Sequence, residues 1–204
     1  MSRPHVPELI VYTGPMWSGK TESVKLELKL ARIAGIRTIF FRPERDTREE
    51  RQIDPDICKT IFVSTPSQVL EHVHNKHQWV AFDEVHFFEE HHEDFVAMIK
   101  KLVRSGRRVL IAGLDLDYTE KPFMITANLM ALAQHVHKKH AICQKCKAID
   151  EGSRSQRISD ATDRFVVGDK TDYEPRCLQC YVPPNGVMHA SEDHKTEPLL
   201  ADLL

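Results

Sequence analysis

The chain has 204 residues, of which 41% are hydrophobic and 28% are charged, a composition typical of one folded globular domain or of one domain with a small addition. Its formal net charge of −2 gives no overall basic field for nucleic acid or an anionic membrane surface, and its longest apolar runs, such as Val109–Leu116, are too short to cross a bilayer. Residues 1–8 hold no apolar secretion signal, so we expect a cytoplasmic protein whose cysteines are reduced.

Strands and helices alternate along most of the chain. Several strands are continuous apolar runs, which is typical of parallel strands that are buried on both faces. The alternation therefore predicts an α/β fold with a mostly parallel sheet and helices on both faces. In chain order the predicted elements are strand Leu9–Thr13, helix Gly19–Ile33, strand Arg37–Phe41, loop Asp46–Pro55, strand Lys59–Val63, helix Pro66–Asn75, strand Trp79–Asp83, helix Glu90–Arg104, strand Arg108–Leu114, helix Ile125–Ala133 and strand His135–Ile142.

A glycine-rich segment joins the first predicted strand to the first predicted helix. In such a loop, glycines let backbone N–H groups turn toward phosphate oxygens, and the helix N-terminus adds about half a positive charge. Lys20 would reach the β- and γ-phosphates of ATP, and the Thr21 hydroxyl would ligate Mg²⁺. The segment therefore predicts a P-loop, RecA-like fold that binds ATP and magnesium. The residues that match the pattern G-x-x-x-x-G-K-[ST] are Gly14, Pro15, Met16, Trp17, Ser18, Gly19, Lys20 and Thr21.

Two carboxylates end the apolar strand that begins at Trp79. In P-loop proteins an aspartate at such a strand end holds Mg²⁺ together with the P-loop hydroxyl. Because consecutive strand residues point to opposite faces, Asp83 and Glu84 need different roles. We assign Asp83 to magnesium and Glu84 to the chemistry, since a carboxylate beside an acceptor hydroxyl can take its proton as the oxygen attacks phosphorus. In a hydrolytic ATPase the same glutamate orients water, so the two motifs predict an ATP-dependent enzyme without fixing its acceptor.

Four of the five cysteines form two C-x-x-C pairs, Cys143 with Cys146 and Cys177 with Cys180. In a chain without an export signal, two such pairs predict a tetrahedral zinc site. Four protein ligands leave no open position, so we predict a structural zinc that holds both ends of the polar loop between the pairs. The remaining thiol, Cys58, is interpreted as a packed or loop residue.

The alternation of strands and helices stops where the cysteines begin. We therefore predict three parts: a P-loop nucleotide-binding domain at residues 1–142, a small zinc-bound domain at residues 143–182 and a loose tail at residues 183–204. The tail is rich in proline and charge and has no periodicity, which is typical of segments that do not fold alone.

These motifs, taken in order over about residues 9–181, resemble those of the zinc-containing type II thymidine kinases, a family with cytosolic, bacterial, phage and poxviral members. The phosphate loop alone is shared by many families, but the ordered set is highly specific. The P-loop begins with the family's Gly-Pro-Met, and Asp46-Thr47-Arg48 resembles its Asp-x-Arg loop. Asp83-Glu84-Val85-His86-Phe87-Phe88 resembles its Asp-Glu-x-Gln-Phe segment. Gly113-Leu114-Asp115-Leu116-Asp117-Tyr118, followed by Lys121-Pro122-Phe123, resembles its Gly-Leu-Asp-x-Asp-Phe and Pro-Phe motifs, and the cysteine pairs flank what the family calls the lasso loop.

The resemblance implies an activity and a set of partners. The protein would phosphorylate thymidine to dTMP, with deoxyuridine as a further candidate substrate, and would use ATP, magnesium and a structural zinc. It would form a homotetramer and be inhibited by dTTP, as is usual in the family. The resemblance implies that residues 1–142 are a kinase domain and that residues 143–182 close over the nucleoside.

The resemblance also implies roles for individual residues. Glu84 would be the general base for the 5′-hydroxyl, and Arg48 would contact the transferring phosphate, beside Asp46 and Thr47 and with His86 near the nucleotide. The walls of the thymine pocket would be Met16, Phe87, Leu114, Tyr118 and Phe123. Lasso backbone would hydrogen-bond the base edge and Tyr173 would help to hold the nucleoside, the lasso residues being Arg164, Phe165, Val166, Val167 and Gly168.

The sequence departs from the family pattern at three places. His86 stands where glutamine is usual; both side chains can form hydrogen bonds, but histidine adds a charge that depends on pH. Tyr118 replaces the usual phenylalanine and keeps the ring. Arg51–Lys59 does not match the usual Ser-His-x-Gly-like stretch.

Two other functions remain open at this point. The first is a P-loop ATPase or motor, which would hydrolyse ATP without a nucleoside. The second is a zinc-ribbon module that binds nucleic acid. This module predicts a basic patch near the cysteines, but the acidic and basic residues between Cys143 and Cys180 balance.

Overall fold

The computed structural model describes residues 6–48, 53–159, 168 and 171–184. Within them the chain forms a six-stranded sheet and a separate two-stranded sheet. Of the predicted tail, only residues 183 and 184 are described. No helix in the described ranges combines the length and the apolar character needed to span a bilayer.

The six-stranded sheet is parallel throughout and has the strand order β3-β2-β4-β5-β1-β6. Its strands are β1 (Glu8–Thr13), β2 (Thr38–Pro43), β3 (Thr60–Val63), β4 (Trp79–Phe82), β5 (Arg108–Gly113) and β6 (His135–Lys138). The described helices are α1 (Lys20–Ile33), α2 (Pro66–His72), α3 (His92–Arg104), α4 (Met124–Leu132) and a 3-10 helix, Val85–His91. The second sheet pairs β7 (Arg154–Arg157) with β8 (Tyr173–Arg176) in antiparallel register.

Two hydrophobic cores cover the two faces of the large sheet, because successive strand residues point to opposite sides. On one side, Val11 belongs to a core that includes Ile99 of α3 and Leu129 of α4. On the other side, its neighbour Ile10 belongs to a core that includes Leu28 of α1. Burial of each large apolar side chain contributes about 1.5–3 kcal/mol. The predicted α/β fold with helices on both faces is confirmed.

The strand order brings the chemical motifs together at one edge of the sheet. β5 lies between β1 and β4, and the carboxyl ends of parallel strands meet at the same edge, where α/β proteins bind their ligands. β1 is followed by the loop that starts at Gly14, β4 by Asp83 and β5 by Leu114. Thr21 and Asp83 therefore meet although they are 62 positions apart in the chain.

Four predicted boundaries differ from the structure by two residues or more. β2 ends at Pro43 rather than at Phe41, and α2 ends at His72 rather than at Asn75. β6 ends at Lys138 rather than at Ile142, because Lys138 pairs with Thr13, the last residue of β1. α3 begins at His92, two residues after the predicted start, because the 3-10 helix Val85–His91 precedes it.

Candidate active site

The phosphate loop, residues 14–21, turns tightly between β1 and α1. Gly14 and Gly19 have φ values of 132° and 77°, which favour glycine. At Gly14 a Cβ atom would lie 2.1 Å from the carbonyl oxygen of Lys139, so this close approach also requires glycine. The loop is predisposed to present backbone N–H groups at the N-terminus of α1, which suits an anion.

Lys20 provides a buried positive charge in this loop. Its Nζ donates a hydrogen bond to the carbonyl oxygen of Pro15 at 2.6 Å. Burial lowers the pKa of Lys20, whereas the charges of Glu84 and Asp83 raise it. Ser18 is also buried and donates to the same carbonyl oxygen at 2.9 Å.

Thr21 and Asp83 form the pair that could hold a divalent cation. Thr21 Oγ1 donates to both carboxylate oxygens of Asp83, at 2.9 and 3.1 Å. Burial raises the pKa of Asp83 and the charge of Glu84 raises it further, while Arg42 and the bond from Thr21 act in the opposite direction. One hydroxyl and one carboxylate are oxygen ligands of the type that Mg²⁺ prefers, so these residues fit the ion.

Asp83 and Glu84 are neighbours in the chain, and a series of ion pairs between side chains of alternating charge also connects them. Arg42 Nη2 lies 3.3 Å from Asp83 Oδ2 and 2.7 Å from Asp46 Oδ2. Arg48 Nε donates to Asp46 Oδ1 at 2.8 Å, and Arg48 Nη2 donates to Glu84 Oε1 at 2.5 Å. The structure therefore places Asp46 and Arg48, which the resemblance assigned to the nucleotide site, beside Asp83 and Glu84.

Sequence reasoning did not identify Arg42 as a site residue. The signal was present, because an arginine in the apolar strand β2 would be buried and would need a partner. Thr47, which was assigned to the same site, is exposed.

Glu84 lies in a turn rather than in the strand. β4 ends at Phe82, and Glu84 has a φ of 54°, in the left-handed region. This turn, and not the alternation of a pleated strand, separates its side chain from that of Asp83. Burial alone would raise the pKa of Glu84, but the positive charges around it, that of Arg48 first, lower the pKa well below its usual range. Glu84 is therefore an ionised, buried carboxylate.

His86 is held as a neutral side chain behind Glu84. Its Nδ1 accepts a hydrogen bond from the backbone N–H of Leu114 at 3.3 Å, which places its proton on Nε2. Nε2 lies 3.6 Å from Glu84 Oε2. Burial lowers the pKa of His86 to about 4. Its ring also contacts the rings of Phe87 and Phe123, with centroid distances of 4.5 and 5.1 Å.

Of the five residues assigned to the thymine pocket, Phe87, Leu114 and Phe123 contact His86. Phe123 is buried, while Met16, Phe87, Leu114 and Tyr118 are half-buried. Phe87 also lines a cavity of about 190 Å³ on the side of β2 and β3. Tyr173 and Gly168 are buried together, and a Cβ on Gly168 would lie 2.8 Å from the Tyr173 ring. The other predicted lasso residues, Arg164, Phe165, Val166 and Val167, lie outside the described residues.

The four predicted zinc ligands converge. The Sγ atoms of Cys143, Cys146, Cys177 and Cys180 all lie within 4.8 Å of one another, and the atoms of Cys146 and Cys177 are 3.8 Å apart. A tetrahedron with zinc–sulfur bonds of about 2.3 Å has edges of about 3.8 Å, so the cluster could hold a metal ion such as zinc. Cys58 is buried in the core on the α1 side.

Several side-chain contacts connect the small sheet and the segment after it to the residues around the large sheet, among them the following three. Ser155 Oγ accepts a hydrogen bond from the backbone N–H of Met16 at 3.0 Å. The Tyr181 hydroxyl donates to the carbonyl oxygen of Tyr118 at 2.5 Å. Arg154 pairs with Glu120. Sequence reasoning missed Ser155, Arg154 and Tyr181, because no motif predicts a contact between such distant segments.

The phosphate loop, the Thr21–Asp83 pair and the parallel strand order define a P-loop nucleotide-binding protein that carries a four-cysteine metal-type cluster. The chain belongs to the thymidine kinase family: the family model described as Thymidine kinase matches residues 7–181.

Relatives named thymidine kinase cover most of the chain. The one from Mycoplasma mobile is 35% identical over 176 residues, which span 84% of this chain and 86% of the relative. The one from Chloroflexus aurantiacus is 38% identical over 183 residues, 85% and 93% of the two chains. The one from Rhodothermus sp. is 36% identical over 178 residues, 85% and 81% of the two chains.

We expect His86→Gln to reduce the loss of stability in acid. The pKa of His86 is about 4 in the folded protein and 6.5 ordinarily, so the unfolded chain binds the proton first as the pH falls. The stability contributed by neutral His86 is thus present above about pH 6.5 and is lost toward pH 4. The free energy of unfolding, measured with urea, should fall between pH 7.5 and pH 5 in both proteins. We expect this fall to be smaller in the variant than in the wild type by roughly 1–2 kcal/mol.

His72→Gln, which alters an exposed histidine on α2, is the matched control and should keep the wild-type pH dependence. Identical pH dependence in wild type and in His86→Gln would contradict a neutral, buried His86.

Proposed function

We propose that this protein transfers the γ-phosphate of ATP to the 5′-hydroxyl of thymidine and so forms dTMP. The observation that carries the proposal is the position of Glu84, an ionised carboxylate that follows the Thr21–Asp83 pair directly and pairs with Arg48. Such a carboxylate suits proton removal from an alcohol, and the chain belongs to the thymidine kinase family.

The phosphate loop would bind the triphosphate. Backbone N–H groups of residues 14–21 and the start of α1 would surround the phosphates, and the residues of the loop are Gly14, Pro15, Met16, Trp17, Ser18, Gly19, Lys20 and Thr21. Lys20 would contribute its positive charge to the β- and γ-phosphates. Thr21 and Asp83 would hold Mg²⁺, which neutralises charge on the phosphates when it is bound.

Glu84 would act as the general base, and Arg48 would connect the base to the phosphate. In the structure Arg48 lowers the pKa of Glu84. The Arg48 side chain is 27% exposed, whereas that of Arg42 is 4% exposed, so of these two arginines Arg48 is the one that a substrate can reach. A shift of the Arg48 guanidinium toward the transferring phosphate would weaken its hold on Glu84 and raise the basicity of the carboxylate as the hydroxyl attacks.

The nucleoside would lie between the aromatic residues and the lasso. We propose that main-chain groups of residues 164–168 read the base edge and that Tyr173 holds the nucleoside. His86 would not touch the nucleotide directly but would fix Glu84 and Leu114, which it contacts in the structure. The proposed pocket walls are Met16, Phe87, Leu114, Tyr118 and Phe123.

The cysteine cluster would hold a structural zinc. The four sulfur ligands supply a complete tetrahedron and leave no open position for chemistry. The zinc would fix both ends of residues 147–176, and metal analysis of the purified protein should find close to one zinc per chain. Replacement by iron or absence of bound metal would contradict this assignment.

We further propose a cytoplasmic homotetramer that dTTP inhibits. Exposed apolar side chains on one side of α1, at Leu26, Leu30 and Ile33, are consistent with contact between copies. Light scattering would give the mass of the particle, and a monomer would contradict the proposed assembly. dTTP is the product dTMP with two further phosphates, so its nucleoside part would fit the nucleoside pocket and its phosphates would fit the phosphate-binding part of the site.

The activity is tested by incubation with labelled ATP and Mg²⁺ and a panel of nucleosides. We expect label in the 5′-monophosphate of thymidine, a weaker product with deoxyuridine and little ATP hydrolysis without a nucleoside. Vigorous hydrolysis that no nucleoside changes would instead indicate an ATPase.

We expect Glu84→Gln to lower kcat for thymidine by about 10²–10⁴-fold, because the amide cannot accept the proton. ATP binding, measured by calorimetry, should stay close to the wild-type value. Glu90→Gln is the control: Glu90 lies in the 3-10 helix that follows Glu84, is exposed and makes a loose pair with Arg45 at 3.7 Å. Unchanged turnover in Glu84→Gln would remove Glu84 from the chemistry.

A further inference from the structure

Arg157, the last residue of β7, lies between two aromatic rings from different parts of the chain. Its guanidinium carbon is 3.7 Å from the centroid of the Tyr118 ring and 5.0 Å from that of the Tyr173 ring. Arg157 Nη2 also donates a hydrogen bond to the Tyr173 hydroxyl. One side chain of the small sheet therefore contacts two residues of the proposed nucleoside site.

The antiparallel register explains why Arg157 reaches Tyr173. The two residues face each other across the small sheet, where Arg157 of β7 pairs with Tyr173 of β8. Residues opposite each other in such a pair have Cβ atoms about 4.5–5.5 Å apart, so long side chains interact. The planar guanidinium can stack on one ring and donate in its plane to a hydroxyl, which a lysine cannot do in the same way.

The contact with Arg157 restrains the side chain of Tyr118, whose backbone is already held by other contacts. The Tyr181 hydroxyl holds the carbonyl oxygen of Tyr118, and Arg154 holds Glu120 in the same segment. Neither contact restrains rotation of the Tyr118 side chain. Stacking with Arg157 supplies that restraint.

The hydrogen bond to Tyr173 directs a proton. A guanidinium can only donate, so the Tyr173 oxygen accepts from Arg157, and the hydroxyl hydrogen of Tyr173 must point to a different acceptor. Tyr173 is only 6% exposed, so bulk water has little access to its hydroxyl group as a hydrogen-bond acceptor. A nucleoside offers suitable acceptors in its sugar oxygens and base carbonyl groups.

We propose that Arg157 is a positioning residue of the nucleoside site, which orients the Tyr118 ring and directs the Tyr173 hydroxyl toward an acceptor oxygen of the nucleoside. The proposal rests on the proposed function, since it takes Tyr118 and Tyr173 as nucleoside contacts. Arg157 itself touches the rings and acts through them.

The first test compares steady-state kinetics of Arg157→Gln with the wild type. We expect the KM for thymidine to rise about tenfold, because a stacked and charge-assisted contact is lost. The KM for ATP should stay within about twofold, and kcat should fall less than the KM for thymidine rises. Arg157→Lys, which keeps the charge but not the planar fork, should recover only part of the loss.

Arg176→Gln is the matched control, because it removes an arginine from the same small sheet that pairs with Glu174 rather than with Tyr118 or Tyr173. Arg176 also donates to the carbonyl oxygen of Cys180 at 3.2 Å, so metal analysis should accompany this control. The KM of this variant for thymidine should change by no more than about twofold, because neither of these partners is a proposed nucleoside contact. Equal increases in the KM for ATP and for thymidine in Arg157→Gln, or an unchanged KM for thymidine, would overturn the proposal.

A double-mutant cycle with Tyr173→Phe tests the route of action. Because Arg157 and the Tyr173 hydroxyl act together, the double variant should raise the KM for thymidine by clearly less than the product of the two single effects. Multiplicative effects would overturn the proposal. If Arg157→Gln loses bound zinc or its circular dichroism signal, Arg157→Lys takes its place in the same cycle.

Failure of the proposed function gives a different result from failure of the proposal for Arg157. If the proposed function is wrong, the wild-type protein itself phosphorylates no thymidine and binds none in a calorimeter. Failure of the inference alone would leave an active wild type whose KM for thymidine does not respond to residue 157.

Discussion

The hydrogen bond from Thr21 to Asp83 joins the helix that follows the phosphate loop to the strand that carries the acidic pair. It forms because β5 separates β1 from β4 and the three strands are parallel, so their carboxyl ends lie side by side. Asp83 is fully buried, and a hydrogen bond to a charged group contributes about 1.5–3 kcal/mol. The position of Glu84, one residue further, depends on this anchor.

Around the anchor, side-chain charges alternate in sign along a path that runs from Asp83 to Glu84. Asp83 contacts Arg42, which contacts Asp46, which contacts Arg48, which contacts Glu84, the neighbour of Asp83 in the chain. Each carboxylate thus has a cation beside it, and the acidic pair can remain together in a site with little water. Arg48 is the most exposed member, so in the proposed reaction a phosphate that competes for Arg48 would change the charge balance at Glu84.

Much of this arrangement could be predicted from the sequence, because it depends on local patterns. The G-x-x-x-x-G-K-[ST] pattern and the apolar strand before Asp83 identify the loop and the acidic pair, and strand alternation predicts the sheet that joins them. The cysteine spacing likewise predicted a cluster that the structure contains. The left-handed turn at Glu84 was not predicted, because no local pattern marks it. The place of Arg42 in an apolar strand indicated burial, but its contact with Asp83 depends on a neighbour that is distant in the chain.

The contacts of the small sheet show the same limit. Ser155 and Arg157 lie in a polar stretch without periodicity, and only the paired register of β7 and β8 brings Arg157 to Tyr173. A polar residue whose partner is far away in sequence carries no local signal of its role. The start of α3 was misplaced for a related reason, since a 3-10 helix and an α-helix share similar apolar spacing over one turn.

The central claim is that the loop at residues 14–21 presents a triphosphate to an alcohol beside Glu84. The most direct measurement is a crystal structure of the protein with thymidine, Mg²⁺ and an ATP analogue that cannot be hydrolysed. The account predicts the γ-phosphate against Lys20, with the 5′-hydroxyl within hydrogen-bond distance of the Glu84 carboxylate. A triphosphate bound elsewhere, or a 5′-hydroxyl remote from Glu84, would contradict it.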